Sequence, residues 1–188
     1  MSSEVTQDVP PSSVDASEAI ARLVRPVEDW PEPGVTFRDV TPLLADSGGF
    51  HAVLGELADA ARAHGDVDAV LGVESRGFIL GAPIARELSL PFVPVRKAGK
   101  LPAETVATSY DLEYGTATIE IHADALAPGA RVVVVDDVLA TGGTLAATRT
   151  LVEQCGAHVA GHLVMIEIAA LGGRQKLDGV PLTVLHSY

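Results

Sequence analysis

Val132-Val133-Val134-Val135-Asp136-Asp137-Val138-Leu139-Ala140-Thr141-Gly142-Gly143-Thr144 decides how the rest of this chain is read. Four consecutive β-branched apolar residues describe a strand buried on both faces, as in a parallel sheet. The two carboxylates are expected to end it. A small polar turn with a Gly-Gly pair then leads into an Ala-rich helix over residues 145–155. The N–H groups of such a turn converge on an anion, and the dipole of the following helix favours negative charge there. Acids do not bind a phosphate, so Asp136 and Asp137 are assigned to what lies beside it, such as the hydroxyls of a sugar.

Outward from this stretch, strands and helices alternate. Upstream the pattern predicts a helix over 47–64 with a stripe of Phe50, Val53, Leu54 and Leu57, a strand over 69–73, a turn Glu74-Ser75-Arg76-Gly77, a helix over 78–88 and a strand over 92–96. Downstream it predicts a strand over 159–168, a short helix opened by Gly172-Gly173-Arg174, and a last strand over 182–185. Near the start, residues 17–25 read as a short helix that Ser17 could cap, 26–33 as an extended, proline-rich turn, and 34–42 as a loop or short strand. The rhythm breaks at 105–122, where Ala117, Ile119 and Ile121 alternate with Thr118, Glu120 and His122, the period of a β-hairpin. The expected fold is α/β: a doubly wound, mostly parallel sheet flanked by helices, with ligands outside the carboxyl ends of its strands. Residues 1–16, rich in Ser, Pro and Asp, are expected to be a disordered tail, and 17–188 a single domain.

Composition narrows the function. A chain of 188 residues, 47% hydrophobic, can bury a substantial core. Its formal charge of −12 argues against nucleic acid or an anionic membrane as partner. There is no long apolar span and no secretory signal, and Cys155 is the one cysteine, a set that fits the cytoplasm. The chain has no G-x-x-x-x-G-K-[ST], no G-x-G-x-x-G and no H-E-x-x-H. Adjacent acids in an extended chain point to opposite faces, so Asp136 and Asp137 cannot straddle one glycosidic bond.

The run from Val132 to Thr144 resembles the phosphoribosyl diphosphate signature of type I phosphoribosyltransferases. Four further segments are similar to the adenine-using members of that family, in the expected order: Pro33-Gly34-Val35-Thr36-Phe37-Arg38-Asp39, Glu74-Ser75-Arg76-Gly77-Phe78, Val95-Arg96-Lys97-Ala98-Gly99-Lys100-Leu101-Pro102, and Tyr110-Asp111-Leu112-Glu113-Tyr114-Gly115. The resemblance runs from about Ile20 to the C-terminus. It implies the type I fold with a flexible hairpin hood at about 104–122, and a purine-salvage reaction in which adenine and 5-phospho-α-D-ribose 1-diphosphate give AMP and diphosphate.

The resemblance also implies roles. Asp136 and Asp137 meet the ribose 2- and 3-hydroxyls, directly or around a Mg²⁺ that enters with the substrate rather than on a dedicated protein site. Ala140, Thr141, Gly142, Gly143 and Thr144 hold the 5-phosphate. Glu74, Ser75 and Arg76 form the diphosphate loop, in which the peptide before Ser75 is often cis, and the basic cluster Arg96, Lys97 and Lys100 meets the developing charge of the leaving group. Glu113 and Tyr114 at the hood tip handle the purine proton and cover the site. Phe37 and Ile168 sandwich the base, while Thr36 and Arg38 offer it backbone groups. The three lysines, Lys97, Lys100 and Lys176, lie outside these base-pocket segments, and a backbone carbonyl accepting from an exocyclic amine suits adenine better than a 6-oxopurine. A homodimer is implied, with the basic loop reaching the neighbouring subunit. Cys155 is read as packing, Trp30 as an anchor for the N-terminal segment, and Glu167 as facing either pocket or solvent.

Overall fold

The computed structural model describes residues 14–111 and 115–188. Contacts group the chain into two compact units, up to Ala52 and from Val53 onward. In the first, helix α1 (Ala16–Leu23) is followed by strands β1 (Arg25–Val27) and β2 (Phe37–Asp39), paired antiparallel, and by helix α2 (Thr41–Ala45). Asp15, not Ser17, caps α1: its carboxylate accepts the Glu18 N–H at 2.9 Å. Ala16, at the start of α1, is buried. Helix α2 falls where the sequence suggested a loop or strand. Its five residues are too few for a visible period, and Pro42 occupies a first-turn position where its missing N–H costs nothing. Helix α3 (Ser47–Ala63) crosses the boundary between the units.

The second unit carries a seven-stranded sheet. It contains β3 (Ala69–Val73), β4 (Phe92–Lys97), β5 (Thr105–Asp111), β6 (Thr116–His122), β7 (Arg131–Leu139), β8 (His158–Glu167) and β9 (Leu182–Ser187), in spatial order β5-β6-β4-β3-β7-β8-β9. The five strands from β4 to β9 pair in parallel, while the hairpin β5–β6 joins the edge of β4 antiparallel, opposing Arg96 to Glu120. The parallel strands thus run second-first-third-fourth-fifth in chain order, and the order reverses between β3 and β7. That is the switch point at which doubly wound sheets bind ligands.

Val132 to Val135 are fully buried, as a strand covered on both faces requires. The acids do not end β7, however. Asp136 and Asp137 are inside it, and the strand continues to Leu139, because β8 pairs with it along its whole length, Leu139 opposite Glu167. Neighbouring strands supply ladder partners that local sequence does not reveal.

Helix α4 (Arg76–Leu88) lies on β3 with almost nothing between them. A Cβ on Gly72 would come within 2.7 Å of the Gly77 carbonyl oxygen and of the Phe92 ring, and one on Gly81 within 3.3 Å of the Gly72 Cα. Phe92 fills the remaining space and meets Phe78 edge-on at 5.8 Å. The close approach sets where α4 begins. Gly72→Ala is expected to destabilise the protein by about 1–3 kcal/mol, because the obstructing group is backbone. A thermal melt should show the midpoint lowered by roughly 3–10 °C; an unchanged midpoint would show that α4 can shift freely.

Helix α5 (Gly143–Gln154) covers the opposite side of the motif. His162 on β8, level with Val134, is fully buried, and neither ring nitrogen has a hydrogen-bond partner. Burial first, then the charges of Arg149 on α5 and of His64 just after α3, depress its pKa to about 4. The folded protein therefore holds the ring neutral, and the unfolded chain takes up its proton near the ordinary value of about 6.5. This contribution to stability is complete above that value and lost as pH falls towards 4, by about 3 kcal/mol at the lower end. Urea unfolding at pH 7 and pH 4.5 is expected to show a smaller acid loss in His162→Leu than in the wild type; equal losses would place the acid sensitivity elsewhere.

Candidate active site

At the switch point, the ends of β3, β4 and β7 bring together three of the segments singled out from sequence. Helix α4 starts with Arg76 directly after β3, and the Glu74–Ser75 peptide is cis. Gly77 in its first turn abuts β7: a Cβ there would sit 2.7 Å from the Val135 carbonyl oxygen and 3.4 Å from the Asp136 carboxylate. A side chain at this position would drive the helix off the acids. With glycine, Arg76 reaches Asp137, its Nε 2.9 Å from Oδ2.

Asp137 is buried, and Asp136 keeps some exposure. The Asp137 N–H donates to Asp136 Oδ1 at 2.9 Å. Burial, and then the neighbouring charge of Asp137, push the Asp136 carboxyl well above the usual range. Burial also raises Asp137, with Arg76 opposing it. Two acids confined this way favour whatever restores their charge balance: hydroxyl donors, a cation, or positive charge developing on a sugar ring.

After β7, Ala140 and Thr141 lead to Gly142, whose φ of 77° favours glycine, and α5 begins at Gly143. No side chain caps this helix, so its first N–H groups face the turn. Thr141 and Thr144 flank it, each half-buried. The turn is backed by Gly173, in the 3-10 segment Gly173–Leu177. A Cβ on Gly173 would stand 2.3 Å from the Ala140 carbonyl oxygen, and one on Gly142 would stand 2.4 Å from the Gly173 carbonyl oxygen. Backbone rests directly on backbone, which holds the turn in one shape.

Three glutamates order the surroundings, and sequence reasoning identified none of these roles. Glu74 accepts from Arg96 Nε at 3.0 Å and from the Lys97 N–H at 3.1 Å. Burial would raise its carboxyl, but these donors outweigh it and hold it below the usual range. Glu74 therefore orients the basic strand end, with Lys97 and Lys100 exposed beyond it. Glu120 on the hood strand β6 is buried and accepts the N–H groups of Lys100 and Leu101 at 2.8 and 2.9 Å, fastening the basic loop to the hood. Glu167 does not face solvent. It is buried and takes Arg174 Nε at 2.7 Å and the Ser187 hydroxyl at 3.1 Å. That clamp ties the ends of β8 and β9 to the segment carrying Gly173. For Glu74 and Glu167 the one sequence signal was a position at a strand end; Glu120, inside β6, carried none.

Ile168 follows β8, its N–H bonded to the Leu139 carbonyl at 2.9 Å. In the first unit, Thr36 precedes β2, and Phe37 and Arg38 open it. Phe37 is only half-buried and meets Trp30 edge-on at 4.4 Å, so Trp30 anchors this aromatic rather than a core. The hood strands β5 and β6 form as expected, with Tyr110 opposite Ala117. Glu113 and Tyr114 lie outside the described residues.

The family model for the phosphoribosyl transferase domain matches residues 44–182. The chain is 56% identical over 161 residues to the adenine phosphoribosyltransferase of Cutibacterium acnes, covering 86% of this chain and 90% of that protein. Its structure superposes on the crystal structure of adenine phosphoribosyltransferase from Thermoanaerobacter pseudethanolicus with a TM-score of 0.87 at 46% identity, covering 91% and 99% of the two chains. The Saccharomyces cerevisiae enzyme, solved with an imino-altritol bisphosphate and adenine, gives a TM-score of 0.85 at 35% identity, covering 90% and 98%. On the matched domain, the shared parallel sheet and relatives more than half identical over most of its length, the chain belongs to the phosphoribosyl transferase family and, within it, to the adenine phosphoribosyltransferases.

Proposed function

We propose that this protein transfers the phosphoribosyl group of 5-phospho-α-D-ribose 1-diphosphate to N9 of adenine, releasing AMP and diphosphate. The observation that carries this reading is the uncapped turn from Ala140 to Thr144, braced by Gly173, at the end of the strand that holds the confined acid pair. The turn and α5 N–H groups would take the 5-phosphate, with the Thr141 and Thr144 hydroxyls as added donors. Asp136 and Asp137 would accept from the ribose hydroxyls and stabilise positive charge growing on the ring as the C1–oxygen bond to diphosphate breaks. Ser75, Arg76, Arg96, Lys97 and Lys100 would meet the negative charge that collects on the departing diphosphate, with Glu74 aiming Arg96. The base nitrogen forms the new bond to C1 and gives up its proton, which we assign to Glu113, while Tyr114 covers the site. Thr36, Phe37, Arg38 and Ile168 are assigned to the base.

Mg²⁺ belongs to the same proposal. Among the described residues, no three His, Cys, Asp or Glu side chains converge as a metal cage. The hard oxygen donors of Asp136 and Asp137 nevertheless suit a cation whose remaining ligands come from substrate and water. Bound there, the ion would neutralise diphosphate charge. Action as a homodimer, with exposed Lys97 and Lys100 serving the neighbouring subunit, and a cytoplasmic location complete the proposal. No helix among the described residues is long and apolar enough to cross a membrane.

An assay with phosphoribosyl diphosphate, Mg²⁺ and a mixture of adenine, hypoxanthine and guanine tests the reaction. AMP with equimolar diphosphate is expected. Nucleotide from an oxopurine alone would overturn the base assignment, and no nucleotide at all would overturn transfer. In the same assay Asp137→Asn should lose about 10²–10³ of kcat while keeping its circular dichroism spectrum; wild-type turnover would remove the ribose role.

A further inference from the structure

The hydroxyl of Tyr110, on the hood strand β5, lies 3.1 Å from the Thr144 hydroxyl at the start of α5. The Tyr110 ring packs against the core cluster beneath α5, so its hydroxyl is delivered by a held ring, not by a loose surface side chain. We propose that Tyr110 is a positioning residue for the sugar phosphate: its hydroxyl sets the direction of the Thr144 proton and ties the hood strand to the phosphate turn. This rests on the assignment of the turn to the 5-phosphate.

The chemistry follows from counting protons. Each hydroxyl has one proton and two lone pairs, and with the turn empty either can donate to the other. A phosphate oxygen only accepts, so once it occupies the turn the Thr144 proton must point to it. Tyr110 then becomes the donor to Thr144, a role that suits a phenol, the more acidic of the two hydroxyls. A Thr144 oxygen that accepts from Tyr110 is polarised towards giving its own proton to the anion. Phosphate binding therefore converts an undirected pair into a directed chain from β5 through Thr144 to the anion. The sugar phosphate is thus bound best when β5 is in place.

Tyr110→Phe keeps the ring and removes only the hydroxyl. Ribose 5-phosphate, which carries the phosphate but neither diphosphate nor base, is the probe, with dissociation constants from calorimetry. Tyr110→Phe is expected to weaken its binding about 5- to 10-fold and to raise KM for phosphoribosyl diphosphate by a similar factor, with KM for adenine and the melting midpoint little changed. Thr144→Val should weaken binding as well, and adding Tyr110→Phe to it should cost nothing further, because Tyr110 acts through the hydroxyl already removed. Thr144→Ser should restore the dependence on Tyr110. Wild-type affinity in Tyr110→Phe, or an undiminished effect of that change in the Thr144→Val background, overturns the proposal. A wild-type protein that binds no ribose 5-phosphate overturns the phosphate assignment itself, and this inference with it.

Discussion

Two carboxylates confined within a strand sealed in apolar packing form the constraint around which this molecule is arranged. Val132 to Val135 are fully buried, and the strand cannot turn aside before Asp136 and Asp137 because β8 continues to pair with it. Leaving such charges uncompensated would be costly. The structure responds by bringing a helix start against them. Gly77 permits the approach, Arg76 supplies the cation, and the glycine contacts between α4 and β3 keep that helix in register. The imbalance that remains is what a ribose with incipient positive charge would relieve.

An acidic protein that binds a polyanion needs its few cations aimed. With 13 Lys and Arg against 25 Asp and Glu, the chain uses carboxylates as scaffolding for basic and backbone donors. Glu74 holds Arg96, Glu120 holds the N–H groups of Lys100 and Leu101, and Glu167 holds Arg174. Each is half-buried or buried, where such contacts are screened less than at the surface. Two of them fasten the basic loop, one to the end of β3 and one to the hood. The third braces the segment behind the turn into α5. Net charge therefore says little about the site itself; the local pairing of these acids leaves the turn open to an anion.

Much of this was legible beforehand where a local pattern and a long-range requirement agree. Strand β3 was read with its observed bounds, because five apolar residues between polar breaks leave no other reading. The hairpin β5–β6 followed from its period of two, and the glycine turn into α5 from the order strand, acids, Gly-Gly, helix. The continuation of β7 through its acids escaped because its ladder partner β8 lies outside any short window, helix α2 because five residues show no period, and the cap at Asp15 because Asp15 and Ser17 are both good N-cap residues two positions apart. Glu167 was ambiguous in sequence because an acid beside an apolar residue at a strand end reads equally as solvent-facing or inward. Only Arg174 and Ser187, arriving from two other segments, decide it.

The sequence by itself determined the alternation of strands and helices, the character of β7 as an interior parallel strand, and the place of the glycine turn that follows, because residue type and local period dictate these. Tertiary structure alone decided that the order of strands reverses between β3 and β7, that Gly77 and Gly173 press backbone against the acids and the turn, and that Tyr110 on the hood meets Thr144. The physical reason is that a close approach has no sequence period: a glycine is permissive everywhere and required only where another backbone arrives, and that arrival is a property of the assembled sheet.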